Sequence, residues 1–551
     1  MKQRLFFRLL AAGLFMLLLA GCTDSFQSNF VAGGTTKEPE ATIFISKQAP
    51  VMVSILVNPE QLESSWGLGG EISKLKSSLF ADTGIDYKQD IQPWLGNEIT
   101  LAVTSSDIDR DPNNGRQPGY LMAIATKTPS KSREFVDLFF SKRAKATGSS
   151  LAVEEYEGVK LISDYSQTDK VLSGAVVGDR FVLFANDPKV LREAINNVQA
   201  AQLNLTSSSQ YQQAVKQVPQ KAFALAFLNL PAVAQWQGWK LPETATFNSE
   251  VISLVLPNRK QLQVETIFLA EKQTLPTSEV SSPSQEALQY IPTSAGLVVS
   301  GANLSNLDRS NLALLWEQIA TSISSGSGEE KLSELLQPLV DLQQRWDINL
   351  KEDIFSWVQG EYAIGLIPRP QNTNPDWIFV VEKSPATPAA ISRLDAIATS
   401  KGLSLNSFDL DKQKISAWTF LKATKVADAS AKPTYTLETE VYGVHTTQGN
   451  YEIFASNLGT IEEVLARNNN SFAQNRTFQD NIAPIPQPNQ GYVYLDWVNG
   501  GELVKSQLPI LKLLEIVAKP FFQKLRSLTL SSYGSDSELL KIGMFLQFDG
   551  F

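Results

Sequence analysis

The chain repeats itself, and no other feature of its 551 residues limits the fold as tightly. Ile85 to Glu98 (IDYKQDIQPWLGNE) lies without a gap over Ile348 to Glu361 (INLKEDIFSWVQGE), an offset of 263. Phe184-Ala185-Asn186-Asp187 and Leu191 to Ile195 match Phe454-Ala455-Ser456-Asn457 and Ile461 to Leu465 at an offset of 270. Tyr211-Gln212, Val218-Pro219 and Phe227-Leu228-Asn229 match Phe478-Gln479, Ile485-Pro486 and Tyr494-Leu495-Asp496 at 267. Three collinear blocks whose offsets drift by only a few residues read as a tandem duplication.

The copies run over 42–272 and 286–551, joined by a Ser- and Pro-rich linker over 273–285. Apolar, β-branched runs predict strands over 51–57, 99–104, 120–125, 175–185 with a turn at Gly178-Asp179, and 222–228. Helical periodicity falls between them, over 71–80, 132–146, 188–198 and 210–217. Adjacent strands with interspersed helices, and no regular βαβ alternation, predict an α+β fold: two tandem copies, each a largely antiparallel sheet with helices packed on it.

The Asp90-Ile91-x-x-Trp94-Leu95-Gly96 block, the strand-helix element Phe184 to Ile195 and the Tyr211-Gln212 element together resemble a bacterial family called domain of unknown function 3352, met in cyanobacteria and actinobacteria. The resemblance covers nearly the whole chain after its leader. It implies a secreted or lipid-anchored envelope protein, and brings no catalytic residues with it. The second copy departs from the pattern, with Val358-Gln359-Gly360 in place of Leu95-Gly96.

At the amino terminus Lys2, Arg4 and Arg8 precede an apolar run from Leu9 to Ala20, the charge and length pattern of an export signal. It ends in Leu19-Ala20-Gly21-Cys22, which resembles the bacterial lipobox, so a mature lipoprotein starting at Cys22 is expected. Cys22 is the sole thiol of the chain, placed where a thioether anchor is needed. Two or three acyl chains hold a protein on a bilayer where one does not. Residues 22–41 are polar and small and read as a flexible tether. Loss of three leader cations takes the formal charge from −9 to −12, which disfavours a nucleic-acid partner.

One Cys and one His exclude a disulfide framework, a Cys/His zinc site and two-imidazole chemistry. Asp90 and Asp353 are expected to cap short helical turns, with Trp94 and Trp357 in the core and Gly96 and Gly360 in the turns that follow. Glu98 and Glu361 are expected at exposed strand starts. Asp107, Asp109 and Asp111 form a weak calcium candidate, because Pro112 and Pro118 occupy the EF-hand's glycine and glutamate positions. Gly67 to Gly70 and Gly326 to Gly328 lack the lysine of a phosphate loop. His445 has no Gly-x-Ser-x-Gly elbow beside it, and its counterpart in the first copy is Ala175. From Gly501 to Ser527 an apolar, basic stretch reads as a sheet-covering or membrane-facing helix, kinked or ended at Pro520.

The expected function is therefore a non-catalytic binding or assembly scaffold without a cofactor, held to an export-side membrane by lipid and serving an unidentified envelope or membrane-protein partner. The alternatives are a carrier of an apolar ligand such as a lipid, and an enzyme using carboxylates with a divalent metal.

Overall fold

The structure is a computed structural model that describes residues 38–58, 85–109, 111, 115–148, 150–165, 171–238, 247–258, 260–270, 282–305, 310–311, 349–369, 374–410, 412–426, 434–466, 471–507 and 519–549. Cys22 with Leu19, Ala20 and Gly21, both glycine-rich segments and the helix expected over 71–80 lie outside the described residues.

Ten strands come first: β1 (Val51–Ile55), β2 (Leu95–Ser105), β3 (Gly119–Thr126), β4 (Leu151–Tyr156), β5 (Val159–Asp164), β6 (Leu172–Val177), β7 (Phe181–Ala185), β8 (Ala222–Asn229), β9 (Phe247–Asn258) and β10 (Gln261–Ala270). Ten more follow: β11 (Leu297–Gly301), β12 (Tyr362–Ile367), β13 (Asp376–Glu382), β14 (Ser404–Leu410), β15 (Gln413–Val426), β16 (Thr434–Gln448), β17 (Tyr451–Ala455), β18 (Tyr492–Asp496), β19 (Leu525–Ser532) and β20 (Leu539–Phe548). Hydrogen-bonded pairings join all of them, every one antiparallel, into one sheet of 20 strands among the described residues. Followed from neighbour to neighbour, the order is 4-5-6-7-3-2-1-8-9-10 and then 20-19-18-11-12-13-17-16-15-14. The order reads the same from either edge once each label of the second set is lowered by ten.

Local chemistry sets the turns. Gly178 and Asp179 both take positive φ, 57° and 56°, in the tight turn that links the paired Val177 and Phe181. Helix Pro188–Gln199 begins with Pro188 in its first turn, after Asp187 accepts from the Lys189 amide. Asn457 likewise accepts from the Thr460 amide to start helix Leu458–Leu465.

Apolar side chains fill both faces of the sheet. In the first set, Met52, Leu183, Leu191, Tyr211 and Leu225 pack with helices Pro188–Gln199 and Ser209–Val215 on one face. Trp94, Phe135, Phe139, Phe140 and Phe184 pack with helix Pro129–Thr147 on the other. The second set has the same two layers, with helices Leu458–Leu465 and Arg476–Ile482 on one side and Thr387–Ser400 on the other. A further core draws on both sets, bringing Phe223, Leu254 and Leu262 against Leu297, Leu495, Trp497, Phe521 and Leu546. At about 1.5–3 kcal/mol for each large apolar side chain buried, this shared core is a substantial bond between the two sets.

Several expectations need correction. The tether was expected to reach residue 41, yet Ala41 is fully buried and Glu40–Phe44 forms a helical turn of the body. The linker's last residues are likewise engaged, because Ser284 Oγ donates to Glu361 Oε2 at 2.5 Å. The expected helix over Gly501 to Ser527 is divided among Trp497–Gln507, Lys519–Lys524 and strand β19, with 508–518 outside the described residues. Pro520 sits in the first turn of helix Lys519–Lys524, where its missing amide costs nothing. Among the described residues no helix is long and apolar enough to cross a membrane.

Candidate functional site

The two Asp-Trp-Gly blocks adopt one geometry. Tyr87–Ile91 and Leu350–Ile354 are wide helical turns, closed by Gln92 N–H on the Tyr87 carbonyl and by Phe355 N–H on the Leu350 carbonyl. Neither Asp90 nor Asp353 is the cap. The cap stands four residues earlier, where Asp86 accepts from the Gln89 amide and Asn349 from the Lys351 and Glu352 amides. Asp90 and Asp353 reach back instead, each accepting at 2.8 Å from the backbone N–H of Asp86 and Asn349 respectively. This is the reciprocal arrangement of a capping box, stretched by one residue because the turn is wide.

Trp94 and Trp357 are buried and donate from Nε1 to the carbonyls of Asp90 and Asp353 at 2.8 and 3.0 Å. Each Asp also faces a cation on the long helix of its set: Lys142 Nζ at 3.6 Å from Asp90, and Arg393 paired with Asp353. Gly96 and Gly360 permit close passage to the next strand. A Cβ there would meet the Ala125 carbonyl oxygen or Glu382 Oε2 at 2.7 Å.

Glu98 and Glu361, expected at exposed positions, are 8% and 5% exposed. Glu98 accepts at 2.9 Å from the amides of Glu40 and Ala41 and from Thr100 Oγ1. It thus caps the turn at which the chain enters the body. Burial raises its pKa against the opposing pull of these hydrogen bonds. Glu361 accepts from Ser284 Oγ and, at 2.9 Å, from the Tyr451 hydroxyl, whose own pKa burial and then this carboxylate push upward. A strand-start glutamate is exposed by default; these two are drawn inside because unpaired donors of an entering segment need an acceptor.

The loop acids do not converge. Asp107 Oδ1 accepts from the Gln117 amide and Asp109 Oδ1 from the Asp111 amide, as turn-forming side chains do. Among the described residues no group of three or more His, Cys, Asp or Glu side chains is placed to hold a metal ion. His445 is buried at the base of the β15–β16 pair. It stacks on Trp418 and Phe454, with ring centroids 5.2 and 5.5 Å away, and its Nδ1 lies 2.9 Å from Glu452 Oε1. Its Nε2 is 3.9 Å from Asp395 Oδ1, and neither contact includes a serine hydroxyl.

Sequence reasoning missed the polar constellation at the centre of the sheet. Where β10 meets β20, Glu265 is 3% exposed and stands opposite Gly543. The Tyr533 hydroxyl donates to Glu265 Oε1 at 2.7 Å, Gln263 Nε2 donates to the same oxygen at 2.8 Å, and Lys541 Nζ lies 3.2 Å from Oε2. Burial raises the Tyr533 pKa, and the neighbouring carboxylate adds to the effect. Only pairing of the two strands brings these residues together, so no local motif could announce them. Chemically the cluster is a buried ion pair, in which Oε1 accepts two hydrogen bonds and Oε2 faces the Lys541 ammonium.

Reciprocal contacts flank it. Gln213, on helix Ser209–Val215, reaches Glu538 beside β20, and Gln261 on β10 donates to the Asp480 carbonyl of helix Arg476–Ile482.

The remaining feature is a surface. β5 and β6 are six residues each, whereas β15 and β16 have 14 and 15. Their excess, from Phe420 opposite Glu440 outward, pairs among the described residues only with itself, as a two-stranded ribbon. Leu421 and Leu437 are 59% and 68% exposed on it, and Phe420 is exposed on its other face. A groove of about 410 Å³ also opens beside the entering segment, between Ile43, Phe44, Val177 and Phe181.

Set against known proteins, residues 8–548 match the family described as "Protein of unknown function (DUF3352)". No curated protein matches the chain. A solved structure titled "Structure of crystal form I of TP0453" aligns with 45% of this chain and 82% of that one at 10% identity and a TM-score of 0.24, a likeness too slight to carry an argument.

Proposed function

The chain belongs to this family of proteins of unknown function, which brings no reaction with it, and from that premise we propose a non-catalytic binding or assembly scaffold of the cell envelope. It is built by tandem duplication of one unit and fastened to an export-side membrane through a lipid on Cys22. The observation that carries the binding role is the ribbon of β15 and β16. A two-stranded ribbon is marginal alone in water, and leucines exposed on it lose nothing by being covered. The strand order, which repeats with each label raised by ten, supports duplication. The burial of Trp94, Asp353 and Trp357, and the backbone hydrogen bonds that Asp90 and Asp353 accept, support a framework reading of the repeated motif.

Two experiments test this. Labelled palmitate is incorporated by the full chain and lost in Cys22→Ser; label retained by the variant removes the anchor. A photo-cross-linking amino acid at Leu437, in membranes of the native host, captures a defined envelope or membrane protein; capture no greater than from an amino acid at the exposed Glu155 removes the docking role.

A further inference from the structure

We infer that the β10–β20 seam is a heterotypic interface, one that joins a first-copy unit to a second-copy unit and rejects two of a kind. The inference rests on the reading of two equivalent units.

The terminal strands correspond at a spacing of 278, which sets Leu262 with Leu540, Val264 with Ile542, Ile267 with Phe545 and Phe268 with Leu546. In the observed antiparallel register, one equivalent pair also faces itself directly, Glu265 opposite Gly543. That pair lies on the local two-fold relation between the units, and the reciprocal contacts Gln213 to Glu538 and Gln261 to Asp480 lie to either side of it. The interface has the form of an isologous dimer contact, in which each side gives what it receives.

The axis itself breaks the symmetry. Two first-copy units would set Glu265 against Glu265, both buried and neither supplied with Lys541 or Tyr533. Like charges directly opposite are unfavourable, and burial sharpens the cost. Two second-copy units would bring two Tyr533 rings toward one axis and leave two Lys541 ammonium groups without the carboxylate that neutralises them. Even a Cβ on Gly543 would lie 2.6 Å from the Tyr533 hydroxyl, so that space holds one ring. The mixed pairing alone places one carboxylate, one ammonium, one ring and one glycine together.

The test uses the full chain carrying a specific protease site within 274–281, cut after folding, then unfolded and refolded as a mixture of its own two fragments. Native mass spectrometry reads which fragments share a particle. The expected result is particles holding one of each, where random assortment would leave half of them with two alike. In Glu265→Gln, particles with two amino-terminal fragments should rise at least about tenfold, a shift that needs only ~1.4 kcal/mol. Glu265→Leu serves as the second variant. Like-paired particles at random abundance in the cut chain with Glu265 unchanged, or no rise in either variant, overturn the inference. Fragments that part and stay unfolded overturn the two-unit reading beneath it, a failure visible separately by circular dichroism.

Discussion

The Tyr533 hydroxyl donates to Oε1 of Glu265 at 2.7 Å across 268 residues of sequence, and Lys541 closes on the other oxygen at 3.2 Å. Removing one member of a buried ion pair leaves the other charge uncompensated, so Lys541→Met should cost about 3 kcal/mol or more. Tyr533→Phe should cost about 1–3 kcal/mol. In a double-mutant cycle of Glu265→Gln with Lys541→Met, denaturant melts should give a coupling of at least ~1 kcal/mol. Additive losses would mean that the pair does not hold the seam.

The tryptophans of the two wide turns should behave alike. Trp94→Ala and Trp357→Ala each empty a buried site and should cost about 3–5 kcal/mol. Trp→Phe keeps most of the volume and loses the Nε1 hydrogen bond, about 1 kcal/mol. A neutral Trp357→Ala in thermal melts would show that the second turn is not part of the framework.

Gly96→Ala and Gly360→Ala meet opposite kinds of neighbour. The first would press a methyl on the Ala125 backbone oxygen, which cannot withdraw, and should cost about 1–3 kcal/mol. The second meets the Glu382 carboxylate, a side chain with some freedom, although its Cβ at 3.0 Å is fixed, so the loss should be smaller. Equal losses in urea titrations would contradict this ranking.

Glu250 carries a pH signature. Burial raises its pKa to about 7. The folded state therefore holds a proton that the unfolded chain has released between about pH 4.5 and 7, so this residue's penalty grows as pH rises through that window and is absent below it. The side chain is only partly shielded by area, so the penalty above pH 7 is on the order of 1–2 kcal/mol. Glu250→Gln should raise Tm at pH 8 and leave it unchanged at pH 4; a gain independent of pH would assign the effect elsewhere.

On the ribbon, Leu421→Ser and Leu437→Ser remove nothing packed and should change stability by less than about 0.5 kcal/mol. Cross-links to a membrane partner should fall in the same variants. Lost folding instead would place both leucines in a core.

The mixed α and β class with its antiparallel pairing and the strands of highest apolar content were legible because they rest on local pattern. β9 escaped notice because Ser249 and Ser253, both fully buried, interrupt its apolar signal. β4 escaped because as an outer strand it buries no residue fully and its short apolar run is broken by Glu154 and Glu155. Asp90 and Asp353 were placed in the right turns and given the wrong hydrogen bond: the caps are Asp86 and Asn349, four residues earlier, and the wide turn moves the reciprocal acceptor one residue on, to Asp90 and Asp353. Glu265 could not have been chosen from a sequence in which its partners stand 268 and 276 positions away.

The strand nearest the carboxyl end, β20, occupies the middle of the sheet, between β10 and β19. A polypeptide synthesised amino end first must therefore lay down both wings before the piece that unites them emerges. Until Leu539–Phe548 arrives, β10 and β19 each hold an open ladder toward the gap. Assembly resembles an arch, unsupported at its crown until the last stone is seated, and a stop before Leu539 would leave the span without that closure.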